Sequence, residues 1–94
     1  MDFLVIAMDG KDAGALDRRM AARDAHLAGI KKLKEQGQFI AGGAILDDAG
    51  KMIGSSVILS FPDRAALDAC IAADPYTKGK VWQDVTVRPF RAVR

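Results

Sequence analysis

Of the 94 residues, one is cysteine, one is histidine, three are proline, and only 6% are aromatic. The lone thiol, Cys70, cannot close an intramolecular disulfide. No second Cys or His stands near it at metal-ligand spacing, so neither a disulfide framework nor a metal site is expected. That usage suits a reducing, cytoplasmic setting. Charge of one sign is equally scarce: 14 Lys+Arg against 12 Asp+Glu leave a formal net charge of +2, with no run of five like charges. Such a balance gives no basis for phosphate-backbone binding. The N-terminal apolar run Phe3–Met8 is flanked by Asp2 and Asp9 and is too short for a membrane span or a signal-peptide core. The glycines at 42, 43, 50 and 54 match no phosphate-cradling spacing that also opens a helix. Neither nucleic acid, a membrane, a metal nor a cofactor is therefore expected as a partner.

The length predicts one domain, 1–94, with a thin core, because folding at this size hides only about 60–65% of the surface of the unfolded chain. Phe3–Met8 is apolar at every position and is expected to be a strand buried on both faces. From about residue 13 the period changes. Leu16, Met20, Leu27 and Ile30 recur at helical spacing, and Gly37 suits the left-handed position after a helix end, which predicts a helix over 13–36. Phe39–Leu46 is again apolar, with Gly42-Gly43 marking a bulge or a place where a ligand or another backbone comes close. Asp47-Asp48-Ala49-Gly50 turns it into Met52–Phe61 as a hairpin. Pro62-Asp63 opens a second helix with Asp63 as its cap and Ala66, Leu67, Cys70 and Ile71 inward, stopping at Asp74 before Pro75. A connection over Tyr76–Lys80 then leads to a last strand, Val81–Phe90, which ends at an edge because of Pro89.

Strand, helix, strand, strand, helix, strand is the order of an α+β, ferredoxin-like split βαβ domain: a four-stranded antiparallel sheet with both helices on one face. The strands carry apolar residues of both parities, Leu4 and Ile6 beside Phe3 and Val5, and Ile58 beside Val57 and Leu59. The face without helices should therefore also be dry, which predicts a two-fold homodimer with sheet packed on sheet.

On the long helix, at about 100° per residue, His26 lies about 80° from Leu16 at the edge of the apolar stripe. Arg23 falls about 20° from the stripe centre and Arg19 about 60° from it, on the side of His26. Polar groups at half-buried positions need partners. In a split βαβ sheet the end of the second helix, the end of the first strand and the start of the long helix share one end of the sheet. Asp74 and Asp9 are thus the two carboxylates that can reach this helix face. A carboxylate beside an imidazole fixes its tautomer and favours its charged form, the arrangement needed to take a proton from one atom and return it to another. Arg19 or Arg23 could hold a carboxylate or enolate oxygen of a small organic acid. Each residue also has a structural reading: His26 as a satisfied histidine, Arg23 lying along the sheet with its head in solvent, Asp74 as a turn residue. Tyr76 and Trp82 could line a pocket or fill the core. Cys70 sits on an apolar stripe and is read as an inert core thiol rather than a nucleophile.

Arg19-Met-Ala-Ala-Arg23-Asp-Ala-His26-Leu27, Ala41-Gly-Gly-Ala44 after Gly37, Asp47-Asp-Ala-Gly50 leading to Gly54-Ser55, and Asp74-Pro-Tyr76 before Val87-Arg-Pro-Phe90 together resemble the YciI-like (YCII-related) family, nearly end to end. The resemblance implies a ferredoxin-like domain that dimerises into an α+β barrel, with a site centred on a histidine and an aspartate. By motif these are His26 and Asp74, with Ser55 and Tyr76 beside Arg19 and Arg23 as substrate-binding residues. Some members are linked to halide elimination from chlorinated ring-derived acids in aromatic degradation. Many relatives have Gly-Pro where this chain has Gly43-Ala44, so this part of the pocket wall differs. The expected function is a cofactor-independent lyase or isomerase that shuttles a proton on a small organic acid. The alternatives are a non-catalytic domain that binds a metabolite or serves as an accessory, and a purely structural assembly module.

Overall fold

In the computed structural model, which describes residues 1–94, the chain runs β1 (Asp2–Asp9), α1 (Ala15–Glu35), β2 (Phe39–Leu46), β3 (Met52–Ser60), α2 (Arg64–Ala73), α3 (Pro75–Lys78) and β4 (Trp82–Phe90). The sheet order is β2-β3-β1-β4 and every pairing is antiparallel. This is the expected ferredoxin-like arrangement, with β1 and β3 as inner strands. No helix is long and apolar enough to cross a membrane.

The chain's local chemistry accounts for the element ends. Gly37 takes φ +73° after α1, and Gly50 takes φ +86° in the hairpin turn, both left-handed values that glycine adopts without Cβ strain. Asp47 Oδ1 closes the hairpin turn by accepting from the backbone N–H groups of Ala49 and Lys51. Asp63 caps α2 by accepting from Ala66 N–H. Instead of an irregular connection over Tyr76–Lys80, the chain makes the short helix α3. Asp74 accepts from Tyr76 N–H and Pro75 occupies the first turn, where its missing donor costs nothing. At the far end, Arg94 and Ala92 both donate to Asp2, so the Arg94 guanidinium holds that carboxyl well below the usual carboxylate range.

The core lies between the sheet and the helices. Phe3, Val5, Leu59, Phe61 and Leu67 form its buried cluster, with Leu33 of α1 and Cys70 and Ile71 of α2 packed against it. Within a single chain β1 is not buried on both faces, as its composition predicts. It alternates: Phe3, Val5, Ala7 and Asp9 are buried towards the helices, while Leu4, Ile6 and Met8 remain half-buried on the open side. Their neighbours across the ladder on that side include Ile58 of β3, opposite Leu4.

Besides a register shift between Ile45 and Leu46 beside the hairpin turn, two departures from regular pairing shape the helix-facing side of the sheet. The irregularity expected at Gly42-Gly43 falls earlier in the ladder, leaving Ile40 unpaired between Phe39 and Ala41. Gly42 instead marks a close approach, since a Cβ there would stand 2.8 Å from the Ser56 carbonyl oxygen, while Gly43 faces open space. Ala44 pairs regularly with Ser55. The second irregularity is between β1 and β4. Met8 pairs with Asp84 but Asp9 pairs with Trp82, so Gln83 is the extra residue of a bulge. Side chains alternate along a strand, so without this bulge Gln83 would oppose Asp9 and Trp82 would point away from the helices.

Candidate active site

The stripe that α1 presents to the sheet is not the apolar one its spacing predicts. Met20 and Leu27 are exposed, at 51% and 43%, and the buried residues of the helix are Ala15 and Arg19. His26 and Leu33 continue the same side, half-buried. The helix is thus turned by about 80° towards His26 relative to the hydrophobic pattern. Partners on the sheet make this possible, because a buried charge is tolerated when it is paired and hydrogen-bonded.

Arg19 shows how. Its Nη1 donates to both carboxylate oxygens of Asp9, at 3.0 Å each, and its Nη2 donates to Ser55 Oγ at 3.0 Å. Both side chains of the ion pair are almost fully buried. The guanidinium also lies 4.8 Å from the centre of the Tyr76 ring, within cation–π range. With both terminal nitrogens engaged and only the buried Nε without a partner, Arg19 has no free fork for a substrate carboxylate. It works as an internal clamp. Arg23 is different: it is half-buried, lines the same cavity as His26, and belongs to none of the chain's ion pairs.

Asp74 lies where α2 ends and α3 begins, and it is the carboxylate that meets His26. Asp74 Oδ1 and Oδ2 are 2.8 Å and 3.1 Å from His26 Nδ1. Asp9, the other candidate, is taken by Arg19. The Asp74 carboxylate also caps Tyr76 N–H, so its position is set by backbone as well as by the imidazole. A carboxylate at this distance selects the tautomer with hydrogen on Nδ1, which leaves Nε2 as an acceptor with no partner in the chain. The imidazole is held flat: Tyr76 stacks on it with ring centres 3.9 Å apart and planes 11° apart, and Trp82 stands edge-on to it at 5.7 Å. Trp82 reaches this place through the Gln83 bulge, and its Nε1 donates to Ser55 Oγ at 3.1 Å.

These groups line one cavity of about 250 Å³, whose 22 lining residues include 13 hydrophobic ones. His26, Asp74, Arg19, Arg23, Ser55 and Tyr76 all contribute to it, whereas Asp9, the other candidate carboxylate, stands behind Arg19 and does not line it. An apolar cavity of about 150 Å³ suffices for benzene, so this one has room for a single ring. Cys70 also lines it, with its thiol pushed up by burial and by the nearby Asp74 charge, which keeps it protonated and a poor nucleophile. Burial likewise pushes the Tyr76 phenol up, so it stays neutral. No three His, Cys, Asp or Glu side chains gather as metal ligands. Two participants have roles here that sequence reasoning does not reach. From the chain alone Asp9 is only an alternative partner for His26, and Trp82 only a possible lining residue. A β-bulge leaves no mark in composition, and the partner of a buried arginine is set by the fold.

The chain as a whole has relatives. Residues 1–91 match the YCII-related domain. Protein YciI of Escherichia coli O6:H1 is 33% identical over 99 aligned positions, covering 99% of each chain. Among solved structures, 5-chloro-2-hydroxyhydroquinone dehydrochlorinase (TftG) from Burkholderia phenoliruptrix AC1100, in complex with 2,5-dihydroxybenzoquinone, superposes with a TM-score of 0.84 at 27% identity, over 97% of this chain and 94% of that one. A dimeric ferredoxin-like protein of unknown function from Jannaschia sp. CCS1 shares the fold alone, at 17% identity and a TM-score of 0.52 over 97% of this chain and 98% of that one.

Proposed function

We propose, from the premise that this chain belongs to the YCII-related domain family, that it is a cofactor-independent enzyme in which His26 moves a proton on a small hydroxylated ring or ring-derived acid. The observation that carries this reading is the His26–Asp74 pair, 2.8 Å apart in the wall of a cavity the size of one ring. The dehydrochlorinase at 27% identity supplies a chemistry to test, loss of HCl from a chlorinated trihydroxybenzene.

The steps balance without an oxidant or reductant. His26 Nε2 takes the proton of a ring hydroxyl and returns it to the chlorine-bearing carbon, which converts that part of the ring to its keto form. Chloride then leaves with the bonding electron pair as a second hydroxyl gives up its proton, and the quinone results. Asp74 stabilises the imidazolium that exists between the two proton transfers. The Arg23 guanidinium lies on the cavity wall as the cation for the negative oxygen that forms.

The test is direct. Purified protein is incubated with 5-chloro-2-hydroxyhydroquinone and chloride release is followed beside quinone absorbance. Stoichiometric release of one chloride per quinone is expected. Binding of the ring without conversion would overturn the enzymatic reading and leave a metabolite-binding domain.

The same reading seats a second copy of the chain on the open sheet face. Leu4, Ile6, Met8, Ile45 and Ile58 are only half-buried in one chain, and an apolar patch of this kind calls for a partner surface. Sedimentation equilibrium should give twice the 10.1 kDa of one chain, and Ile6→Asp should return it to a single-chain mass. A wild-type protein that sediments as one chain at micromolar concentration would overturn the dimer.

A further inference from the structure

Ser55 is 7% exposed, lies on β3 facing the helices, and lines the cavity. Its hydroxyl oxygen accepts from Arg19 Nη2 at 3.0 Å and from Trp82 Nε1 at 3.1 Å. Guanidinium and indole nitrogens only donate, and a hydroxyl has two lone pairs and one hydrogen. Both lone pairs are therefore occupied. The hydrogen must take the remaining direction, and no acceptor in the chain receives it. A buried hydroxyl ordinarily spends its hydrogen, so this one is left for something that enters the cavity.

We propose that Ser55 is the specificity-determining residue of the cavity: a donor by compulsion, it takes an acceptor oxygen of the ligand and favours a carbonyl or ionised hydroxyl over a neutral hydroxyl, which accepts more weakly. The inference rests on the reading of the cavity as a single-ring site and adds the ionisation state of the ring it accepts. Arg19 and Trp82 are positioning residues here, because they set which way the Ser55 hydrogen points. Asp9 in turn holds Arg19. His26 Nε2 is the complementary acceptor, so the preferred ligand presents a proton-bearing atom on one side and a negative or carbonyl oxygen on the other. A ring that keeps one hydroxyl beside a carbonyl or ionised oxygen has that asymmetry, whereas a fully protonated hydroquinone presents only neutral hydroxyls, which accept more weakly. In the proposed reaction the same donor meets the oxygen on which charge develops, where a preorganised hydrogen bond counts most.

The experiment compares two rings of similar size, 2,5-dihydroxybenzoquinone, which is ionised at neutral pH, and neutral hydroquinone, by titration against the wild-type chain, Ser55→Ala, Ser55→Thr and Trp82→Phe. The readout is the ratio of the two dissociation constants, which a general loosening of the fold would not move selectively. Wild type should prefer the anion. Ser55→Ala should lose roughly 10- to 100-fold of that preference, the range for a hydrogen bond to a charged group, and Ser55→Thr should restore most of it. Trp82→Phe frees one lone pair on Ser55, so the hydroxyl can also accept, and the ratio should narrow with Ser55 still present. An unchanged ratio in both Ser55→Ala and Trp82→Phe, beside intact wild-type binding, overturns the assignment of Ser55 alone. Failure of the wild-type chain to bind either ring overturns this assignment and the single-ring reading together.

Discussion

The His26→Ala chain should release chloride about 10²- to 10⁴-fold more slowly than the wild type, the usual range for removing a general acid–base group. Its circular dichroism spectrum should stay unchanged, because the imidazole lies at the flank of the core and belongs to none of its buried apolar cluster. The comparison with Asp74→Asn separates the two members of the pair. An asparagine oxygen can still accept from Tyr76 N–H and keep α3 capped, yet it lacks the charge that favours imidazolium. Turnover in Asp74→Asn should therefore fall while the helix holds, and the fall should come mainly in kcat. Full activity in His26→Ala on a verified substrate would end the proton-transfer mechanism, whatever the fate of the fold.

The largest effect on stability belongs to Asp9. Asp9→Ala would leave the Arg19 guanidinium, 3% exposed, inside the protein without its carboxylate. Breaking a buried pair in this way costs about 3–5 kcal/mol, a large share of the roughly 5–15 kcal/mol that holds a small domain folded. Urea denaturation should show the midpoint falling accordingly. The double variant Asp9→Leu/Arg19→Met should recover most of the loss, since apolar residues of similar size often replace a buried ion pair at no cost. It should not recover the ligand preference, because Ser55 would lose the donor that orients its hydrogen. An Asp9→Ala chain that unfolds at the wild-type urea concentration would show that the clamp contributes little to the fold.

The residues behind these two expectations are legible in the sequence to different degrees. His26 and Asp74 can be named from the chain because their placement comes from element order: the second helix has to end beside the end of β1 in this topology, and Pro75 marks that end. Asp9 and Arg19 are visible as candidates but not as a pair. Periodicity ranks residues by hydrophobicity, and by that measure Met20 and Leu27 belong inside α1. The helix instead turns its polar strip inward, because the sheet offers Asp9 and Ser55 as partners for Arg19, while Asp74 and Tyr76 at the start of α3 meet His26. No local pattern contains those partners.

Local chemistry, then, was sufficient for the order of elements, for their ends at Gly37, Asp63 and Pro75, and for the candidacy of one imidazole and one carboxylate. Each of those rests on backbone preferences and short-range hydrogen bonds, which neighbours in the chain decide. The rotation of α1, the bulge at Gln83 that swings Trp82 to the helix side, and the direction of the Ser55 hydrogen were decided only by the tertiary structure. They depend on strand register and on the pairing of buried polar groups, interactions between residues far apart in the chain, whose energies exist only after the sheet has formed.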